Sequence, residues 1–343
     1  MSARPDPASP RDLARPLVRA LAAAVMVLTL AACGLRAETP PPVEPSPDAV
    51  EQVRARTVAD SLALADAAAA AALLPDGAVE PVAPVLADVS AFSGQHADQL
   101  GGVYVSGLPA PSGSPTATPT ASTATVADVL AELGTATRTA LADADAVADG
   151  PLARLVASVA TSRGELATRL AHASGAEVPS LVPDAAAPAE PTPSPSATAD
   201  GLGTDDMATL ALVHDQAGYG FEVVAAKLSG DQRAAASAAA EAHRARSEEW
   251  ASAAGIDGGA QDPRRASYTL PAGLDDPAVA TTLARTLETS VADAYANAVA
   301  QAAPGSRAAL VDGLRVATDD AATWGATPVA FPGLPERAQQ PAG

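Results

Sequence analysis

The chain has 343 residues, a length that fits about two domains at roughly 150 residues each, and 48% of them are hydrophobic, with mean hydropathy +0.12. Aromatics are only 3% and alanine dominates the apolar count, so helices are favoured over a large β-sandwich or barrel: Ala is the best helix former, and strands draw on β-branched and aromatic side chains. Lys and Arg number 21 against 40 Asp and Glu, a net charge of −19 that argues against nucleic acid as a partner, and the single cysteine excludes an intramolecular disulfide or a Cys-based metal or redox motif.

Arg4, Arg11, Arg15 and Arg19 precede an apolar run from Ala20 to Ala32. That run has the length of a signal-peptide core and is too short to cross a bilayer as a mature helix. It closes on Leu30-Ala31-Ala32-Cys33, which resembles the bacterial lipobox. The resemblance implies that residues 1–32 are a signal peptide and that Cys33 is acylated with diacylglycerol and becomes the first residue after cleavage. Two acyl chains suffice for stable anchoring, where one holds only marginally. The expected location is therefore the outer face of the cell membrane. The alternative is an ordinary secretory peptide with a chance cysteine.

Residues 33–47 are Pro-rich and read as a tether, and 183–200 (Pro/Ser/Thr/Ala) as a linker. A third stretch of this kind, 108–125, reads as a disordered loop inside an N-terminal helical region, 48–182. Helix-like runs fall at about 48–74, 84–100, 126–148 and 151–174. Asp48 is placed to cap the first, with Val50, Val53, Thr57, Val58 and Leu62 on the helical period. Leu152, Leu155, Val159, Leu166 and Leu170 form one apolar stripe on the fourth, and Pro151 sits in its first turn. The long polar loop makes this region two helical hairpins brought together.

The C-terminal region, 201–335, gives runs at about 204–228, 231–254, 276–302 and 306–323. Asp231 is expected to cap the second, and Asp275-Asp276-Pro277 opens the third. Hairpin, long connection, hairpin is the connectivity of a bundle with one crossover. The stretch from Thr327 onward, with 336–343 at its end, reads mostly as a tail. Seven of the nine aromatics lie in this C-terminal region, which makes it the better-packed part, because large rings carry most burial per residue.

The blocks LVHDQAGYGFEVVAAKLSGDQRAAASAAAEAHRARSEEW, YTLPAG, LARTLETSVADAY, DAATWG and FPGLP resemble a family of uncharacterised actinobacterial lipoproteins with a ferritin-like C-terminal domain of unknown function. Their order and spacing match over most of residues 204–335. The resemblance implies a lipid anchor and an all-α fold, a C-terminal ferritin-like four-helix bundle preceded by a second helical-hairpin bundle. It implies no activity, and fold alone assigns none. The residues leave open whether the N-terminal helices stand as a bundle of their own or pack onto the C-terminal one.

Ferritin-like di-metal centres need a Glu-x-x-His pair from each of two helices. None of His96, His172, His214 and His243 has Glu three positions before it, so the standard di-iron site is absent and no cofactor is expected. A lesser site remains. His214 shares an apolar stripe with Ala217, Phe221, Val224 and Leu228. His243 shares one with Ala236, Ala240, Ser247 and Trp250, and Glu288 aligns with Val291 and Tyr295. Two imidazoles and a carboxylate from three helices could hold one divalent ion. The blander reading makes them hydrogen-bonded core residues, with Glu288 paired to an arginine. Asp215, Tyr219 and Glu222 form a further stripe that could do acid–base work only if buried, and solvation is the simpler account. Glu241, Glu248 and Glu249 around His243-Arg244-Ala245-Arg246 read as helix-surface ion pairs.

No GxSxG, Walker, GxGxxG or HExxH pattern occurs. The first expectation is a non-catalytic, lipid-anchored envelope protein whose helices bind a protein or wall component. The second is an unconventional ferritin-like metal or redox protein built on His214, His243 and Glu288. An enzyme using Asp215 and Glu222 comes last. The first two are separated by whether those three side chains converge.

Overall fold

A computed structural model of the chain describes residues 46–106, 123–181 and 201–337. Leu30, Ala31, Ala32 and Cys33, the expected signal peptide, and most of the tether, loop and linker lie outside these residues. Among the described residues are eight α-helices and no strand: α1 (Ala49–Ala71), α2 (Val82–Gln99), α3 (Val126–Ala146), α4 (Gly150–Ser174), α5 (Thr204–Lys227), α6 (Gly230–Ala253), α7 (Pro277–Gln301) and α8 (Ala308–Thr323). All eight belong to one compact unit, and none is long and apolar enough to cross a membrane.

Local chemistry sets the helix ends. Asp48 Oδ1 accepts the Glu51 N–H at 2.8 Å and starts α1. Thr125 and Asp128 form a reciprocal capping box on α3, the arrangement that satisfies two orphan donors at once. Asp149 and Asp276 cap α4 and α7, each with Pro in the first turn. The expectation for α6 is corrected. Ser229 is its N-cap, with no side-chain bond, and Asp231 lies inside the first turn, where its charge faces the positive end of the helix dipole.

Hairpins α1–α2 and α3–α4 pack together through α1–α3 and α2–α4, while α5–α6 and α7–α8 meet through α5–α7. The two sets share one core. Helix α4 packs on α7 and α8 as well as on α2 and α3, and every residue from Leu155 to Gly164 is buried. The single apolar stripe expected on α4 is therefore corrected to burial on all sides. Leu62, expected inside, is exposed, and Ser61 and Leu64 take the inner positions on α1.

All-round burial encloses polar groups, and each needs a partner. The fully buried Arg163 guanidinium donates to Thr57 O (3.1 Å), Ser61 Oγ (2.8 Å) and Ala136 O (3.3 Å). Burial pulls its pKa down to about 10. A second buried arginine, Arg307, donates to Ala144 O, Val147 O and Ala302 O, carbonyls at the C-terminal ends of α3 and α7 that have no partner within their helices. Asp145 at the end of α3 accepts the Arg307 and Ala308 N–H groups at 2.6 and 3.1 Å, so one helix end caps the start of α8.

The stretch after α8 is corrected from tail to packed strap. Ala330, Phe331 and Leu334 are buried against Val58, Ala97, Leu100, Leu155 and Val159. Ser158 Oγ donates to Pro332 O at 2.7 Å, and the His96 Nε2–H donates to Ala330 O at 2.7 Å. Complete burial pushes His96 down to about 3, so its ring stays neutral.

Close approach at the α4 start generates a paired prediction. A Cβ on Gly150 would stand 2.2 Å from the Ala300 carbonyl oxygen, whereas one on Gly94, inside α2, meets nothing within 4 Å. Gly150→Ala should lower stability to urea by about 1–3 kcal/mol through forced backbone shift. Gly94→Ala should raise it by about 0.5–1 kcal/mol through helix propensity. Equal effects of the two substitutions would contradict the contact between the α3–α4 turn and α7.

Candidate functional site

His214, His243 and Glu288 do come together, each buried, on three different helices. Their geometry is a chain. His243 Nε2 lies 3.1 Å from Glu288 Oε1, and its Nδ1 lies 2.9 Å from His214 Nδ1. His214 Nε2 lies 3.0 Å from the Tyr295 hydroxyl, which also receives the Trp250 indole N–H at 3.4 Å. Phe221 stacks on the His243 ring at 5.4 Å.

The donor inventory gives this chain a direction. Glu288 Oε1 accepts from His243 Nε2–H, which leaves the His243 Nδ1 lone pair to accept from His214 Nδ1–H. His214 Nε2 then accepts the Tyr295 O–H, and the tyrosine oxygen takes the indole N–H. Every ring nitrogen of the pair has a hydrogen-bond partner in this arrangement. Burial, with His243 next to it, holds His214 well below the ordinary imidazole range, which suits that assignment.

The same geometry tests the metal idea. Ligands of one tetrahedral ion with bonds of about 2.0–2.1 Å stand farther apart than two nitrogens at hydrogen-bond contact. Glu288 binds the far nitrogen of His243, so its Oε1 contact orients the ring and does not point to a centre shared with His214. The three side chains therefore do not form a three-ligand set, and no group of three or more His, Cys, Asp or Glu among the described residues is arranged to hold a metal ion. The expected arginine partner of Glu288 is corrected to His243. The other carboxylate oxygen, Oε2, is buried and has no hydrogen-bond partner.

Glu288, His214 and His243 line a cavity of about 630 Å³. It opens between α6 and α8, because α6 packs broadly on α5 only. Its sides are apolar and small, including Ala235, Ala238 and Ala239 on α6 and Gly313, Val316 and Ala317 on α8. Both tryptophans of the chain, Trp250 and Trp324, reach it. Gly313 is required here, since a Cβ would stand 2.5 Å from the Tyr295 ring. At the rim, Arg246 pairs with Glu249 and Asp312 with Arg315. Asp320 has no ion pair among the described residues.

Sequence reading placed Trp250 and Tyr295 on inward stripes without joining them to the histidines, and it missed Asp320. The signal for Asp320 lay in its helical spacing from Gly313 and Ala317. Asp215 is a further correction. It is buried and accepts from Arg244 of α6, the Tyr268 hydroxyl and the Arg265 N–H. Arg244 also binds Glu222 at 3.0 Å. Asp215, expected to be solvated, is instead a hub that fastens α6 and the 254–276 connection to α5, while Glu222 of the same stripe is exposed as expected. Of the expected helix-surface ion pairs, Arg246–Glu249 forms at 2.7 Å, while Glu248 pairs with Arg264 of the connection at 3.1 Å.

Asp320 gives a pH-dependent expectation. Loss of hydration on its inner side, then repulsion from Glu288 and Asp319, push it up to about 6, against a smaller pull from His243. An acid raised in the folded state binds extra protons there, so its contribution to stability falls as pH rises from about 4 through 6. Asp320→Asn should leave the melting temperature unchanged near pH 4 and raise it at pH 7.5. A shift of the same size at both pH values would contradict the crowding of Asp320 with Glu288.

No curated protein and no solved structure matches the chain at a significant level. Residues 208–336, from the second turn of α5 to the end of the packed strap, match the family described as Domain of unknown function (DUF4439), and this segment holds every residue of the cavity and its hydrogen-bonded floor.

Proposed function

We propose that the protein is a lipid-anchored binding module of the cell envelope, in which a C-terminal ferritin-like four-helix bundle has become a receptor for a small ligand. The observation that carries the reading is the cavity between α6 and α8, with a buried, half-satisfied carboxylate at its floor. Pockets of roughly 300–1,000 Å³ with apolar walls and few polar groups are the common form of small-molecule sites. The ferritin-like assignment rests on two antiparallel hairpins, α5–α6 and α7–α8, joined by a long crossover. The anchor and the outer-face location rest on Leu30-Ala31-Ala32-Cys33 following an apolar run. A protein or wall partner in the envelope remains the broader class to which such a ligand belongs. Among the described residues no constellation of nucleophile, base and oxyanion donors favours catalysis.

The anchor is tested by fractionating cells that express the full chain. The wild type should sediment with membranes and carry a diacylglyceryl-modified Cys33 by mass spectrometry, and Cys33→Ser should lose both properties. The cavity is tested with Nile red as a neutral apolar probe. It should bind one molecule per chain and accept energy from the two tryptophans, and Ala239→Phe, which fills the cavity, should weaken binding at least tenfold. Binding indifferent to that substitution would sink the receptor reading. The competing metal or redox reading, built on the paired histidines, predicts stoichiometric iron, manganese or zinc in the untagged full chain, lost in the His214→Ala, His243→Ala double variant. The receptor reading expects elemental analysis to find none.

A further inference from the structure

We infer that the cavity is built for a cationic amphiphile, a protonated amine or guanidinium on an apolar body. The inference rests on the receptor reading and specifies the ligand's chemistry. Its first support is Glu288. This residue is only 2% exposed, its Oε1 is occupied by His243, and its Oε2 has no partner at all. A buried carboxylate oxygen left unpaired costs the desolvation of that group, and what it lacks is a donor, preferably a charged one.

The second support is the charge arrangement around it. Arg246 is engaged by Glu249, and Asp312 by Arg315. The two histidines spend their ring nitrogens on the hydrogen-bonded chain, so neither has a donor left for Glu288 Oε2. That leaves Glu288 Oε2 at the floor and Asp320 at the mouth, both on the cavity lining, without an arginine or lysine partner among the described residues. A cation between them relieves both repulsion and desolvation. Trp250, Trp324 and Tyr295 also line the cavity, and aromatic rings attract a cation more than a neutral group.

The third support is the walls, which separate an organic cation from a bare metal ion. Around the floor the lining is largely alanine and valine from α6, α7 and α8 with the rings of Trp250, Trp324 and Tyr295, and the histidine nitrogens are already paired. A metal ion stripped of water would find one free oxygen there. An alkyl chain finds contact along both α6 and α8, while its ammonium supplies the missing donor to Oε2.

The test compares n-octylammonium, n-octanol and octanoate on the full chain, below their micelle concentrations, read by tryptophan fluorescence. Octylammonium should bind at least tenfold more tightly than octanol, and octanoate more weakly than either. Glu288→Gln should bring the amine within twofold of the alcohol. Asp320→Asn, at the exposed mouth and outside the buried chain, should weaken the amine threefold or more and leave octanol unchanged, which keeps the idea testable if the Glu288 variant does not fold. Equal binding of amine and alcohol would overturn the charge assignment while leaving the receptor reading intact. Failure of all three probes, with Nile red also excluded, would remove the receptor reading itself. Quenching by zinc chloride with none by octylammonium would overturn the inference in favour of a metal site.

Discussion

Burial of α4 on all sides is the constraint on which the arrangement depends. A helix flanked by one layer can be amphipathic, but one enclosed by neighbours must be compact all round. The α4 sequence meets this with Ala, Ser, Thr and Gly between its larger residues. The hydroxyls are then absorbed locally, as Thr161 Oγ1 donates to Ala157 O at 2.9 Å and Ser158 Oγ reaches Pro332 O. Arg163 is the exception in size. It sits fully buried because α1 and α3 present a serine hydroxyl and carbonyl oxygens at the right distance for its donors. Replacing it with an apolar residue would leave those acceptors without that partner, and an ordinary hydrophobic contact would not substitute.

Enclosure of α4 joins the halves of the molecule, and it also fixes α7 and α8. Both pack on α4, and α8 additionally on α3. The Asp145 and Arg307 contacts pin the α7–α8 turn to the end of α3. Helix α6 has no such support. It is held on α5 by the Asp215–Arg244 contact and by Ser247 Oγ donating to Ala211 O at 2.8 Å, and towards α7 by the His243 and Trp250 side chains. The gap between α6 and α8 thus follows from rigid support on one side and narrow attachment on the other.

Much of this was legible in the residue pattern because helix ends are local events. Asp48, Pro151, Asp276 and Pro277 act within one turn of where they stand, so helix boundaries could be placed closely. The inward stripes of α5, α6 and α7 were also readable, since His214, His243 and Glu288 each repeat at helical spacing with apolar neighbours. What could not be read was non-local. Whether α4 has one neighbour or five depends on how hairpins stack, and the strap's Phe331 finds its place beside α2 and α4, far away in sequence. Asp215 looked like a surface acid because its partners Tyr268 and Arg265 lie on a connection with no periodicity to announce them.

The direction of the hydrogen-bonded chain was likewise beyond sequence, although its members were named, because three converging residues can surround a point or form a line. The line has a consequence that a metal cluster would not. A metal site would use its carboxylate and imidazoles together and leave little for a ligand, whereas the chain uses one oxygen of Glu288 and leaves the other. Alanine composition then decides what surrounds that oxygen. The methyl groups that make α6 a strong helix former are too short to reach α8, so the helix is stable while the space beside it stays unfilled. Local consistency broken at one buried polar atom is the pattern expected where a fold gives up stability for a binding site. The unpaired Oε2 and the unfilled groove are two sides of that single exchange.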